Sequence, residues 1–199
     1  MSIIVGLTGN IGSGKSMISE IFSALKIPDF YADEVAKDLL DSGQFMPELI
    51  NSFGQKIMDA HHKVDKQKLA SIVFNDKDLL QHLNTIIHPE VYKRFLDWVK
   101  ENKSAPYVVM EAAILFESGF NKYVDLSINV HATIELRLQR VIARDKTNKD
   151  AVLKRMQNQL TDDEKIKLAD YTIDNNGKKL VLSQVLEIHA QIKNKKDSK

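Results

Sequence analysis

GLTGNIGSGKS, residues 6–16, follows only five residues of chain and sets glycines at 9, 12 and 14 just before a lysine and a serine. Gly9 to Ser16 matches the spacing GxxxxGKS in full. The run before it, SIIVGLT at 2–8, is β-branched and apolar, as a strand buried in a parallel sheet is. The run after it, SMISEIFSALK at 16–26, has apolar residues at 17, 18, 21, 22 and 25, a helical spacing that Pro28 ends. That strand–loop–helix setting gives the motif its meaning. Glycine at the turns lets main-chain N–H groups between Gly9, Asn10, Ile11, Gly12, Ser13 and Gly14 turn inward around phosphate oxygens, at the positive end of the helix beginning near Lys15. Lys15 is expected at the β and γ phosphates and the Ser16 hydroxyl on Mg²⁺, which keeps several of its waters. The loop therefore predicts a bound nucleoside triphosphate.

The rest of the chain suits a small enzyme with one core. At 199 residues it is too short for two cores of ordinary size. With 28 basic against 27 acidic residues, it has no general pull toward nucleic acid or anionic lipid. No apolar run approaches the ~20 residues that span a bilayer, and the N-terminus reads as a strand rather than a signal, so a cytoplasmic protein is expected. Cysteine is absent, which removes disulfides, thiolate catalysis and cysteine–zinc sites. The six histidines are scattered and form no HExxH pair.

Beyond the first helix, DFYAD at 29–33 reads as a second strand, completing a right-handed βαβ crossover, and EVAKDLLDSG as a helix ending at Gly43. From about 45 to 101 the pattern is helical without strands, an insertion expected to lie against the sheet. Strands return at 106–111 (PYVVME) and 124–130 (VDLSINV), with AAILFESGFNKY between them as a loop or lid. Helices are expected at 133–145 and 149–160, a last short strand in YTIDNNG at 171–177, and a final amphipathic helix whose charged tail, from Lys193, is expected to be disordered. The fold class is α/β: a three-layer P-loop NTPase fold with a mostly parallel sheet covered on both faces.

Three further groups bear on chemistry. Asp33 ends the second expected strand, where neighbouring parallel strands line one crevice, so its carboxylate either accepts a proton from an attacking hydroxyl or caps the helix from Glu34; the two roles are compatible. Arg137, Arg140 and Arg144, three and four apart, share one helix face and either clamp a moving phosphoryl group or form a solvated stripe paired with Glu135 and Asp145. Glu111 closes the strand YVVM as a Walker-B-type carboxylate or a plain strand-end acid. The letters of the GTPase motifs DxxG and NKxD occur at Asp174–Gly177 and Asn194–Asp197, but only twenty residues apart and with the second in the tail, so they read as a turn and a solvated end.

With those residues placed, the chain resembles the dephospho-CoA kinase family almost end to end. GLTGNIGSGKS at 6–16, YAD at 31–33, FG at 53–54, VDKQKL at 64–69, VF at 73–74, IIHP at 86–89, ILFESG at 114–119, QRVIARD at 139–145, RMQNQ at 155–159 and EKIKLADYTIDNNG at 164–177 carry the resemblance in order. It implies transfer of the ATP γ-phosphoryl group to the ribose 3′-hydroxyl of dephospho-CoA. It also implies a three-part body: a nucleotide-binding core (about 1–34, 102–113 and 124–199), a helical acceptor-binding region (about 35–101), and a lid (about 114–123, with the arginine helix 133–145 as a candidate extension). By the same resemblance Asp33 is the base, Thr8, Lys15 and Arg140 surround the phosphates, and Met17, Arg144 and Asn175 join the loop in binding ATP, Asn175 near the adenine. Lys66, His88 and Glu117 fall to the acceptor, and Ser16 and Glu111 to the metal.

Four positions depart from the family pattern. Asn10 stands where a second glycine is usual, Met17 replaces a threonine, EAAILFE replaces DxPLLFE, and Lys66 replaces an arginine, keeping the charge without the bidentate fork. Rival readings are another small-molecule kinase of the nucleoside-monophosphate type, with a different acceptor, and a nucleotide-binding switch that phosphorylates no metabolite. Oligomeric state is left open by the sequence.

Overall fold

The computed structural model describes residues 2–73 and 76–197. Five strands, all parallel, form one sheet in the order β2-β3-β1-β4-β5. They are β1 (Ile3–Thr8), β2 (Asp29–Tyr31), β3 (Tyr107–Glu111), β4 (Leu126–His131) and β5 (Tyr171–Asp174). The centre goes to the strands buried on both faces: Val5 and Gly6 of β1, Val108 and Val109 of β3, and Ile128 and Asn129 of β4 are all buried, the other face of β4 being polar with Ser127 and Asn129. The strand β2, three residues long and opening on an aspartate, takes an edge beside β3. The crossover from β1 through α1 (Lys15–Ala24) therefore does not lead to β1's neighbour, as the sequence suggested. It reaches past the slot that β3 fills later.

The chain divides into two compact units, one of Met1–Tyr31 with Trp98–Lys199 and one of Ala32–Asp97. In the first, Ile18 and Phe22 of α1 and Val185, Ile188 and Ile192 of α9 (Val181–Asp197) pack with Ile3, Val5, Leu7, Tyr107, Val109, Ile128, Val130 and Ile173. Those alternate residues share one face of the sheet, so α1 and α9 cover it side by side. Beside this core the Tyr107 hydroxyl and His189 Nδ1 stand 2.7 Å apart, giving the buried phenol a partner. Gly6 on β1 exists for a close approach: a Cβ there would stand 2.6 Å from Leu115 Cδ2, and Leu115 is fully buried after β3. Phe120 is buried too, so two apolar anchors hold the segment 114–123.

The second unit is helical: α2 (Ala32–Asp41), α3 (Met46–Phe53), α4 (Lys66–Val73) and most of α5 (Lys77–Glu101). Its own core is Leu49, Phe53, Ile57, Val64, Leu69 and Val73. A bridge between Met58 and Val64 closes a turn in which Asp59 Oδ1 accepts from the N–H groups of His61 and Lys63 at 2.8 and 2.9 Å.

After β4 come α6 (Ile134–Asp145), α7 (Lys149–Met156) and α8 (Asp162–Leu168). The helix from 149 stops four residues short of the expected end, and α8 was not foreseen. Seven mostly charged residues have no apolar stripe, yet the start was signalled, because Thr161 and Glu164 form a capping box, with Glu164 N–H donating to Thr161 Oγ1 and Thr161 N–H to Glu164 Oε2. The charged tail is also corrected: α9 runs on to Asp197.

Phe22 is the large side chain common to the helix and sheet sides of this core. Phe22→Ala is expected to destabilise the protein by about 3–5 kcal/mol, read as a lower urea midpoint with unchanged slope.

Candidate active site

The phosphate loop leaves the carboxyl end of β1, between β3 and β4, the edge where open parallel sheets bind ligands. Its geometry depends on two glycines above all. Gly12 (φ 81°) lies so close to α6 that a Cβ would meet the Arg137 carbonyl at 2.6 Å, and Gly14 (φ 96°) is the left-handed residue from which α1 starts. The loop carbonyls point outward to donors. Asn175, just past β5, gives its Nδ2 to the Ser13 carbonyl at 2.7 Å. Arg140 of α6 reaches the Gly12, Ser13 and Asn175 carbonyls at 3.4, 3.3 and 3.0 Å. In a trans peptide the N–H opposes the C=O, so the Gly14 N–H is aimed away from these donors. Lys15 Nζ lies 3.0 Å from the Gly9 carbonyl, folded over the loop.

A second set of contacts comes from the segment between α7 and α8, which the sequence reading did not assign. Gln159 Oε1 accepts from the Ile11 N–H at 2.8 Å, and its Nε2 donates to the Ala113 carbonyl at 3.3 Å. Asn10 is buried and donates to the Leu160 carbonyl at 3.1 Å and Asp162 Oδ1 at 3.0 Å. Asp162 also holds Arg137, only 4% exposed, at 2.6 Å. Arg137 is thus a buried brace, not part of a solvated stripe. Arg144 pairs with Asp145 at 2.7 Å, the ion pair expected of a solvated stripe, and Asp145 also takes Arg155 at 2.9 Å, tying α6 to α7. The Arg144 hydrogen bond is the main cause that holds the Asp145 carboxyl below its usual range.

Thr8 Oγ1 donates to the Ala113 carbonyl at 3.3 Å. Lys165 of α8, wholly buried, donates to the same carbonyl at 2.7 Å and to Glu117 Oε1 at 3.0 Å, and Glu117 Oε1 also accepts the Leu160 N–H at 2.8 Å. Burial lowers the Lys165 pKa, and the Glu117 charge opposes that shift. Gln159, Asp162 and Lys165 lie in or beside the stretches RMQNQ and EKIKLAD, and a lysine within a charged run gave no sign that it would be interior.

Glu111 ends β3 and accepts from Ser19 Oγ of α1 at 3.3 Å. Ser16 is exposed on the first turn of α1, as is Met17. Among the described residues no group of three or more histidine, aspartate or glutamate side chains is arranged to hold a metal ion. One hydroxyl and one carboxylate suit a hard cation held chiefly by phosphate oxygens and water, so this donor set fits Mg²⁺ rather than a protein-caged metal.

In the helical unit, Asp33 is the second residue of α2, neither the end of a strand nor the cap of the helix. Ala32 already begins the helix, and Asp33 and Glu34 in its first turn suit the positive end of the helix dipole. On α5, burial lowers the His88 pKa while the Asp33 charge opposes that shift. Lys66 is exposed and pairs with Asp41 at 2.7 Å.

An all-parallel sheet, a GxxxxGKS loop at the end of its central strand and donors holding the loop carbonyls outward define a P-loop kinase fold. The sequence model of the dephospho-CoA kinase family matches residues 3–180. A dephospho-CoA kinase of Fusobacterium nucleatum is 41% identical over 178 residues, covering 89% of this chain and 92% of the relative. A Thermus thermophilus crystal structure matches with TM-score 0.83 and 32% identity over 96% of this chain and 97% of the other. Dephospho-CoA kinase from Campylobacter jejuni matches with TM-score 0.69 and 26% identity over 98% and 99%. The chain belongs to the dephospho-CoA kinase family.

One acid near this site titrates unusually. Asp29 opens β2 with both carboxyl oxygens buried, and burial pushes its pKa from 3.8 up to about 6 against the opposing pull of Ser19 and Tyr31. The folded protein therefore binds this proton more tightly than the unfolded chain does, so stability falls as pH rises from about 4 to about 6 and stays reduced above. Asp29→Asn is expected to raise the melting temperature at about pH 7.5 and much less at about pH 4, a difference on the order of 2–3 kcal/mol.

Proposed function

We propose that this protein uses Mg-ATP to phosphorylate the ribose 3′-hydroxyl of dephospho-CoA, giving coenzyme A and ADP, in the cytoplasm. The outward-held carbonyls of Gly12 and Ser13 support the reading most directly, because they leave the loop's amide side to the phosphates. Lys15 exchanges the Gly9 carbonyl for the β and γ phosphates. Thr8 borders the transferring group, Arg140 exchanges a loop carbonyl for it as Lys15 does, and Arg144 and Met17 flank the nucleotide. Asn175 holds the loop with its side chain and lies by the adenine. Ser16 and Glu111 hold Mg²⁺, which when bound neutralises charge on the β and γ oxygens.

Asp33 accepts the proton of the 3′-hydroxyl as the oxygen attacks in line, and Lys66, His88 and Glu117 bind the acceptor. The segment 114–123 and α6 serve as the lid that excludes water, so that phosphate passes to the acceptor instead of to solvent.

Asp33→Asn is expected to lower kcat by a factor on the order of 10²–10⁴, the usual contribution of a general base, with ATP affinity changed less than about threefold. Unchanged turnover removes Asp33 as the base. ADP release measured across a panel of hydroxyl and phosphate acceptors tests the substrate: stimulation by dephospho-CoA alone supports the assignment, and preference for a nucleoside monophosphate overturns it.

A further inference from the structure

The Ala113 carbonyl is a node. It accepts from three side chains on three elements: Thr8 at the end of β1, Gln159 before α8, and Lys165 within α8. Two of these lead to the phosphate loop. Thr8 immediately precedes Gly9, and the Gln159 amide that donates to Ala113 also accepts the N–H of Ile11. Lys165 is the shortest of the three contacts at 2.7 Å and the only charged one. A fully buried ammonium is costly unless it is paired, and here its counter-ion is Glu117, four residues beyond Ala113. Simple packing does not call for a charge at this place, because an apolar pair of the same size fills an interior at least as favourably. An ammonium does what an apolar group does not: it holds one carbonyl oxygen to a fixed position by a charge-assisted hydrogen bond.

We propose that Lys165 is a positioning residue for nucleotide binding, acting through the Ala113 carbonyl and the Gln159 side chain to set the place of the phosphate loop. The proposal rests on the P-loop kinase reading but requires nothing of the acceptor. When Lys165 holds the Ala113 oxygen, Gln159 has a fixed partner for its Nε2 and so presents Oε1 to Ile11 in one orientation. Thr8 is oriented by the same oxygen. Without the ammonium, the carbonyl and both side chains gain freedom, and the loop must be ordered by the nucleotide itself, at a cost in affinity.

The test separates positioning from stability. Lys165→Met alone strands the Glu117 charge and is expected to lower the melting temperature sharply. Lys165→Met/Glu117→Met removes both charges, so its melting temperature is expected to return close to that of the unsubstituted protein. Titration calorimetry with ADP and magnesium is then expected to give about tenfold weaker binding for this pair, about 1.4 kcal/mol. KM for ATP should rise in step. Gln159→Leu, which leaves the ion pair intact, is expected to weaken ADP binding by a similar factor. Because both changes interrupt one path, the triple variant should be weakened by far less than the product of the two effects.

ADP affinity equal to that of the unsubstituted protein at recovered melting temperature overturns the proposal, as do effects that multiply to about a hundredfold. Should the double methionine variant not fold, Gln159→Leu decides: tenfold weaker ADP binding supports the path, and unaltered binding overturns it. Phosphorylation of dephospho-CoA by the unsubstituted protein is measured apart from this. Its absence with ADP binding intact removes the acceptor assignment and leaves Lys165 where it stands.

Discussion

A main-chain anion site requires that the carbonyls of its own peptides be held on the far side, because N–H and C=O oppose each other across every trans peptide. Here Asn175 and Arg140 do that for Ser13 and Gly12, and much of the first unit follows from the need to bring them there. Asn175 comes within reach of Ser13 because β5 pairs with β4 and β4 with β1, which carries the end of β5 to the loop. Its own N–H is taken by the His131 carbonyl at 2.8 Å, so the asparagine is fixed at both ends. Arg140 comes within reach because α6 passes so near Gly12 that no side chain fits between them.

Behind the loop lies a frame in which charges are interior. Arg137 and Lys165 are buried cations, and each has a carboxylate and a main-chain carbonyl as partners. Asp162 serves Arg137 and Asn10 together, and Glu117 serves Lys165 and the Leu160 N–H together. Such pairs add little net stability over apolar residues of the same size, but they tolerate only one arrangement, since loss of either partner leaves a buried charge alone. A site that must hold a mobile, highly charged substrate benefits more from that single arrangement than from extra stability.

The fold class was legible because its signals are local. A continuous apolar run before a glycine loop and a period-3.6 run after it point to a parallel α/β sheet, and the four later strand runs from 29–33 to 171–177 all hold strands. What failed was order and reach. DFYAD follows β1 and α1 in sequence, yet β3 takes the neighbouring slot because YVVME is apolar on both faces and DFY is not. The strand also stops at Tyr31, so Asp33 lies in the first turn of a helix. Arg137 and Arg144 looked alike on one helix face; burial beside Asp162 separates the first from the exposed, Asp145-paired second.

By itself the sequence determined the phosphate loop and the strand and helix on either side of it, since these rest on residue types at fixed short spacings, and a resemblance along nearly the whole chain pointed to the family. Tertiary structure alone decided which further distant groups serve that loop: Gln159, Asp162 and Lys165 lie about 150 residues from the loop residues they support, directly or through Ala113. No spacing rule reaches across such a distance. Strand order sets those contacts, and strand order is chosen by which apolar runs must be buried on both faces.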